Sequence, residues 1–244
     1  MSFLRRPTWF AVALTVAGVL VFVRLGIWQL DRAAEKDELL RRYAAASEAP
    51  AEVFGQVAAN PPADRYPRVD VSGVFIPGHR YVLDDQTRAG QVGVHVYAAF
   101  LPHGDNHAVL VDLGFLPREA GASPRLPPVP EAPLTLRGLY VPPPGVGIRL
   151  GGDRLPEQKG PDKSVVYVDL TEVAADLHRS LYPRVLLLDA DPATIYAREW
   201  TPAVMPPARH RAYAFQWFTF AFAAVVIFLL LHRNRRPRPR NENP

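Results

Sequence analysis

The run PTWFAVALTVAGVLVFV, Pro7 to Val23, holds 17 residues without a charge, and AYAFQWFTFAFAAVVIFLLL, Ala212 to Leu231, holds 20. At about 1.5 Å rise per residue these make about 26 and about 30 Å of apolar helix, so each can cross the hydrocarbon core of a bilayer. The first continues past Arg24, because Leu25 to Leu30 is again uncharged and an arginine near a helix end can lift its guanidinium to the headgroups. Trp9 and Trp28 then stand about 28 Å apart along the helix, a spacing that suits two interfacial aromatic belts.

The chain of 244 residues thus reads as a short N-terminus (1–6), a first transmembrane helix (7–30), a large loop (31–209), a second transmembrane helix (210–231) and a basic tail (232–244). Arg5-Arg6 could open a signal peptide, but the apolar run is long and Ala11-Val12-Ala13 lies inside it, so an uncleaved anchor is expected. His232-Arg233-Asn234-Arg235-Arg236 follows the second run as a stop signal. The net charge of +4 sits at the ends: residues 1–24 and 232–244 hold eight arginines against Glu242, leaving 20 basic and 23 acidic groups between. A phosphate-binding surface needs its basic excess on the folded domain, so nucleic acid is excluded as a partner and the lipid bilayer is expected. Arginine in both tails places both termini in the cytoplasm and 31–209 outside, in a cell inner (plasma) membrane with the domain periplasmic or extracytoplasmic.

Zero cysteines exclude disulfide frameworks, thiolate zinc sites and cysteine nucleophiles, and 26 prolines are too many for a helical bundle. Asp31 to Ala46 (DRAAEKDELLRRYAAA) is rich in helix formers and reads as a stalk that Asn60-Pro61-Pro62 stops. Beyond it, Val69, Val71 and Gly73 alternate with Arg68, Asp70 and Ser72, and Val109, Val111, Leu113 and Phe115 repeat the pattern. Further strands are expected at 80–83, 93–101, 134–141, 165–170 and 184–188, and a short helix at 171–178 with Thr171 as its N-cap. The expected fold is therefore two transmembrane helices flanking an extracytoplasmic α+β domain, mostly antiparallel β, a small barrel or a sandwich. VDVSGVF (69–75) and LTLRGLY (134–140) echo one another around Gly73 and Gly138. Residues 117–161 hold eleven prolines and read as long loops flanking a strand.

Chemistry is sparse. There is no nucleophile elbow, phosphate-cradling glycine loop or H-E-x-x-H, so no catalytic residue is assigned. Asp84-Asp85 and Asp189 with Asp191 lie at strand ends, where aspartate serves turns. His103 and His107 have helical metal spacing, but Gly104-Asp105-Asn106 reads as a hairpin turn and no third ligand is in view, so no metal site is assigned. One constellation remains at the entry to the second span: His210, Tyr213, Ala214 and Trp217 fall at i, i+3, i+4 and i+7 and share a helix face. Neutral imidazole ligates haem iron and aromatics suit a porphyrin, although an interfacial histidine beside belt aromatics is also commonplace. Gln29 and Gln216 both lie toward the outer leaflet, where amides can bridge antiparallel helices.

Three stretches carry a likeness. Leu25-Gly26-Ile27-Trp28-Gln29-Leu30-Asp31-Arg32 with Lys36 is similar to an L-G-x-W-Q-x-x-R-x-x-x-K exit from a first span. Val109-Leu110-Val111-Asp112-Leu113-Gly114-Phe115-Leu116-Pro117 matches a strand motif except at Asp112 and Leu113, where asparagine and arginine are usual. Trp200 to Met205, then His210-Arg211-Ala212-Tyr213-Ala214-Phe215-Gln216-Trp217-Phe218, closely follows H-x-x-Y-A-x-Q-W-F. In these the chain resembles the Surfeit locus (Surf/Shy) family of cytochrome c oxidase assembly factors, from about residue 20 to 231. The resemblance implies a non-enzymatic respiratory-chain chaperone of the inner membrane, helping to build the haem-a-containing catalytic subunit. It implies haem a held through His210, with Tyr213 and Trp217 on the same face, and Trp28, Gln29 and Gln216 as motif or interhelical residues. Implied partners are that catalytic subunit and haem a synthase; the competing reading is a cofactor-free, membrane-tethered scaffold for an assembly intermediate.

Reporters fused at either end and inside the loop test the orientation. Both termini are expected in the cytoplasm, and an outside location of both would overturn the charge argument.

Overall fold

The computed structural model describes residues 7–118, 126–144, 155–198, 202 and 204–233. The N-terminus 1–6, most of the basic tail, two parts of the proline-rich middle and Trp200 lie outside the described residues. The chain forms two compact units, one from residues up to Leu39 with those from Val204 onward, the other Leu40–Ala203.

In the first unit, helix α1 (Trp9–Glu48) runs 40 residues and α4 (Pro207–His232) runs 26. The expected span and stalk are one unbroken α1, since no proline interrupts residues 9–48 and Arg32 and Glu35 pair at 2.7 Å across one turn. It ends at Glu48, well before Asn60-Pro61-Pro62. Pro50 is the earlier stop, because a proline disfavours helical backbone in the residue before it. Pro207 opens α4 at the position where proline's missing N–H costs nothing.

The second unit adds β1 (Glu52–Val53), a one-turn α2 (Phe54–Val57), β2 (Arg68–Arg88), β3 (Gln91–Pro102), β4 (Ala108–Pro117), β5 (Leu134–Val141), β6 (Asp162–Val165), α3 (Leu170–Leu177) and β7 (Leu181–Leu188). The strands join in the order β1-β2-β3-β4-β7-β5, with β6 on β2, and β5 pairs with β2 again. Ladders β2–β3, β2–β5, β3–β4 and β5–β7 are antiparallel, whereas β1–β2, β2–β6 and β4–β7 are parallel. The sheet is therefore mixed but mostly antiparallel, as expected, with short parallel ladders at β1, β6 and between β4 and β7.

The strands expected at 68–74 and 80–83 are halves of β2. Its register on β3 shifts between Phe75 and Arg80, where Pro77 lacks a donor and Gly78 takes φ +74°. Before this bend β2 pairs with β5; after it, with β6. The β2–β3 turn sets both Ala89 (φ +48°) and Gly90 (φ +79°) in the left-handed region, the primed-turn geometry that matches strand twist. The β3–β4 hairpin turns at Gly104 (φ +75°), as expected. The echoed glycines sit on paired strands, and a Cβ at Gly73 would come within 2.1 Å of the Leu101 carbonyl oxygen, one at Gly138 within 2.0 Å of that of Leu187.

Strand β4 departs from its alternation: Ala108 to Leu116 is buried throughout. Its two faces meet two cores. Val109, Val111 and Leu113 join Val69, Phe100 and Leu186 in one, while Leu110 joins Tyr81, Tyr97, Val165 and Val173 in the other. The short helix is present as α3, but its N-cap is Asp169, which accepts from the Thr171 N–H at 2.8 Å. Arg184 is buried, and its guanidinium donates to the carbonyls of Pro62, Arg65 (3.3 Å) and Tyr140 (3.2 Å), tying the loop after α2 to the sheet.

In the second core Asp176 of α3 is buried, pairs with Lys163 and accepts from the Tyr81 hydroxyl at 2.9 Å. Burial alone would raise the Asp176 carboxyl, but the hydrogen bonds from Lys163 and Tyr81 prevail and hold it below the ordinary carboxylate range. Burial, then the Asp176 bond, pushes the Tyr81 hydroxyl far up, so it stays a donor. Removing one partner of such a pair leaves a buried charge uncompensated. Lys163→Met is expected to cost about 3 kcal/mol in denaturant unfolding followed by circular dichroism, and adding Asp176→Leu to recover most of it. A depressed carboxyl stabilises above its unfolded pKa, near about 4, and loses that share as pH falls through its folded value, so Asp176→Asn is expected to flatten the acid limb of the stability profile.

Candidate functional site

Both α1 and α4 carry 18-residue windows apolar enough to cross a membrane, and only 6% and 11% of those windows are buried, unlike the core helix of a water-soluble protein. What burial there is lies along the seam between them. Phe22 stacks on Trp217 with ring centres 5.9 Å apart and planes at 24°, and Phe220 closes the group at 5.8 Å from each. One turn on, the Phe218 ring lies over Gly26, where a Cβ would stand 2.6 Å from a ring carbon. Glycine at 26 is what admits an aromatic ring at this depth. One turn further, Gln29 Oε1 meets His210 Nδ1 at 2.7 Å. Arg211 pairs with Asp37 above it.

Of the residues singled out in the sequence, His210, Trp217 and Gln29 come together on this seam. Tyr213 is on the outer flank, 41% exposed, and Gln216 is exposed. Gln29 reaches His210 and not Gln216, because a side chain at 210 shares the buried line with Ala214, Trp217 and Ala221, and 216 lies off it. Trp28 is 43% exposed, with the Arg32 guanidinium 5.8 Å from its ring centre. Phe22, Gly26 and Phe218 were not singled out for the seam. Their signal was present in the i+4 spacing of Phe22, Gly26 and the i+8 spacing of His210, Phe218, which keep one helix face.

The domain offers no competing chemistry among the described residues. Asp84 and Asp85 pair with Arg118, Asp189 with Arg68, and Asp191 accepts from the Ala193 N–H, so these carboxylates do serve turns and ion pairs. No group of three His, Cys, Asp or Glu side chains is arranged to hold a metal among the described residues. His107 instead lies 3.5 Å from Asp105 and packs on Tyr182. Asp112 is buried, accepting from the Gly114 N–H at 2.8 Å and standing 3.3 Å from His95 Nδ1. Burial, then the Asp112 charge, pushes the neighbouring Tyr97 hydroxyl well up. A cleft of about 560 Å³ opens between Pro127–Pro130 and the segment after β7. Its charges are already committed: Arg198 donates to the Leu113 and Asp189 carbonyls, Arg137 to Asp70.

The cysteine-free sequence makes the helix pairing directly testable. Gln29→Cys with His210→Cys is expected to be joined by a short thiol cross-linker in high yield, and Leu30→Cys with His210→Cys much less, since Leu30 is exposed.

Along the chain, two apolar helices that meet through a histidine–glutamine bond flank a mixed-sheet domain. A search of curated proteins gave no match. The family model described as the SURF1 family matches residues 16–222, taking in the seam, the whole sheet and both helix motifs. The chain belongs to the SURF1 family.

Proposed function

We propose that this protein holds haem a transiently at His210 while the catalytic subunit of cytochrome c oxidase is assembled. Family membership with a membrane-flanked domain supports the general role, cytochrome c oxidase assembly through contact with oxidase components. SURF1-family assembly factors are non-catalytic, and this chain is not an enzyme. The two apolar terminal helices and the family support a multi-pass protein of the inner membrane. Both termini in the cytoplasm, a barrel-like closure of the outer domain through β2–β5, and haem a synthase as a second partner belong to the proposal.

The observation that carries the haem reading is the Gln29–His210 bond. Iron takes a neutral imidazole nitrogen, and a histidine whose other nitrogen is engaged by an acceptor is the usual ligating arrangement. His210 is half-buried with Nδ1 engaged, so Nε2 is the atom that would ligate. Trp217, about two turns along α4, supplies apolar, aromatic surface together with Phe22 and Phe220 packed on it. The donor set therefore fits haem, which His210 would hold and which would supply the iron chemistry. The residues do the rest: His210 binds, Gln29 orients it, and the aromatic group excludes water from the helix seam.

The test is purification in mild detergent after co-expression with haem a synthesis. Wild type is expected to carry a haem a spectrum, and His210→Ala to lose it with the circular dichroism of the strand domain unchanged. A retained spectrum in His210→Ala overturns the ligand assignment, and a colourless wild type favours the cofactor-free scaffold.

A further inference from the structure

We infer that Gln29 is a positioning residue that fixes the tautomer of His210, holding the proton on Nδ1 and leaving the Nε2 lone pair outward; its use in ligation rests on the haem reading above. A neutral imidazole carries one N–H, and the bond made by one ring nitrogen decides the state of the other. The atom facing Nδ1 at 2.7 Å is the Gln29 carbonyl oxygen, which can only accept. The proton must then be on Nδ1. An imidazole side chain free in water favours the opposite tautomer, with the proton on Nε2, so this preference has to be imposed by a neighbour.

The surroundings favour that assignment. His210 is half-buried, and the partner its Nδ1 meets there is Gln29, so that partner determines the form. Asp37, the α1 carboxylate that reaches this end of α4, is taken by Arg211 and is not the atom bonded to His210. Gly26, one turn before Gln29, lets the helices approach closely enough for the amide to reach across. The L-G-x-W-Q order on α1 thus has a physical reading: the glycine sets the separation and the glutamine, three residues on, spans it.

The experiment uses the full chain in lipid nanodiscs without haem, with histidine labelled at both ring nitrogens. Resonances of residue 210 are identified by their loss in His210→Ala, and the ring's protonation state is read from the same nitrogen spectra. Nitrogen NMR is expected to give the Nδ1–H form as the dominant species in wild type and in Gln29→Glu, which keeps an acceptor. Gln29→Leu is expected to revert to Nε2–H with its thermal unfolding little changed. A dominant Nε2–H signal in wild type, which the reversed amide would produce, overturns the inference; so does a Gln29→Leu spectrum like that of wild type. A second arm loads the same proteins with haem a. Gln29→Leu is expected to bind about tenfold more weakly, as orienting partners of ligating histidines usually do when removed, with Gln29→Glu restoring affinity. Unchanged haem affinity in Gln29→Leu overturns the role in ligation. If the tautomer responds as expected but wild type binds no haem, the functional reading fails, and the failure is then separate from that of the Gln29 assignment.

Discussion

An amide carbonyl on one apolar helix facing an imidazole on another, 2.7 Å away, is the contact on which the membrane unit depends. Besides the Arg211–Asp37 pair, the contacts described between the two helices are rings and a glycine, which lipid tails can largely replace. The hydrogen bond is directional, so it fixes rotation as well as proximity: α4 turns His210 toward α1 and Tyr213 outward. Trp217 and Phe218 follow at the spacing that keeps them on the same seam.

The outer domain answers a different constraint. Without cysteine it has no covalent staples, and its stability comes from a strand buried on both faces. Strand β4 separates two cores and is flanked by β3 and β7, so each of its residues meets protein. The long, bent β2 makes this possible by pairing with β5 at one end and β6 at the other. Among the described residues, buried Arg184 is answered by three carbonyls and buried Asp176 by Lys163 and Tyr81.

Much of this was legible in the chain. Run length and flanking arginine are properties of single segments, so both apolar helices could be read without knowing any neighbour. Alternation located the start of β2 and β4, and strand-forming residues located β3 and β5, for the same reason. What failed required a partner. Strand β6 is four residues long and starts at Asp162, where pairing with β2 outweighs weak propensity. The second buried face of β4 depends on α3 and β2, far away in sequence. Gln29 and Gln216 were equally plausible bridging amides until the seam chose one face of α4. At the candidate site, the identity of His210 was readable from spacing and resemblance, but the atom that holds its Nδ1 was not, since 181 residues separate the two partners. The departures at Asp112 and Leu113 have local accounts too, the first bonded to the Gly114 N–H and the second packed in the core.

The central claim joins one residue to one cellular outcome: His210 is needed to build haem-a-containing oxidase. It is tested most directly by reduced-minus-oxidised spectra of membranes from cells deleted for this chain and complemented with wild type or His210→Ala. The account predicts a diminished haem a band on deletion, restored by wild type and not by the variant. A haem a band unchanged by the deletion would contradict it.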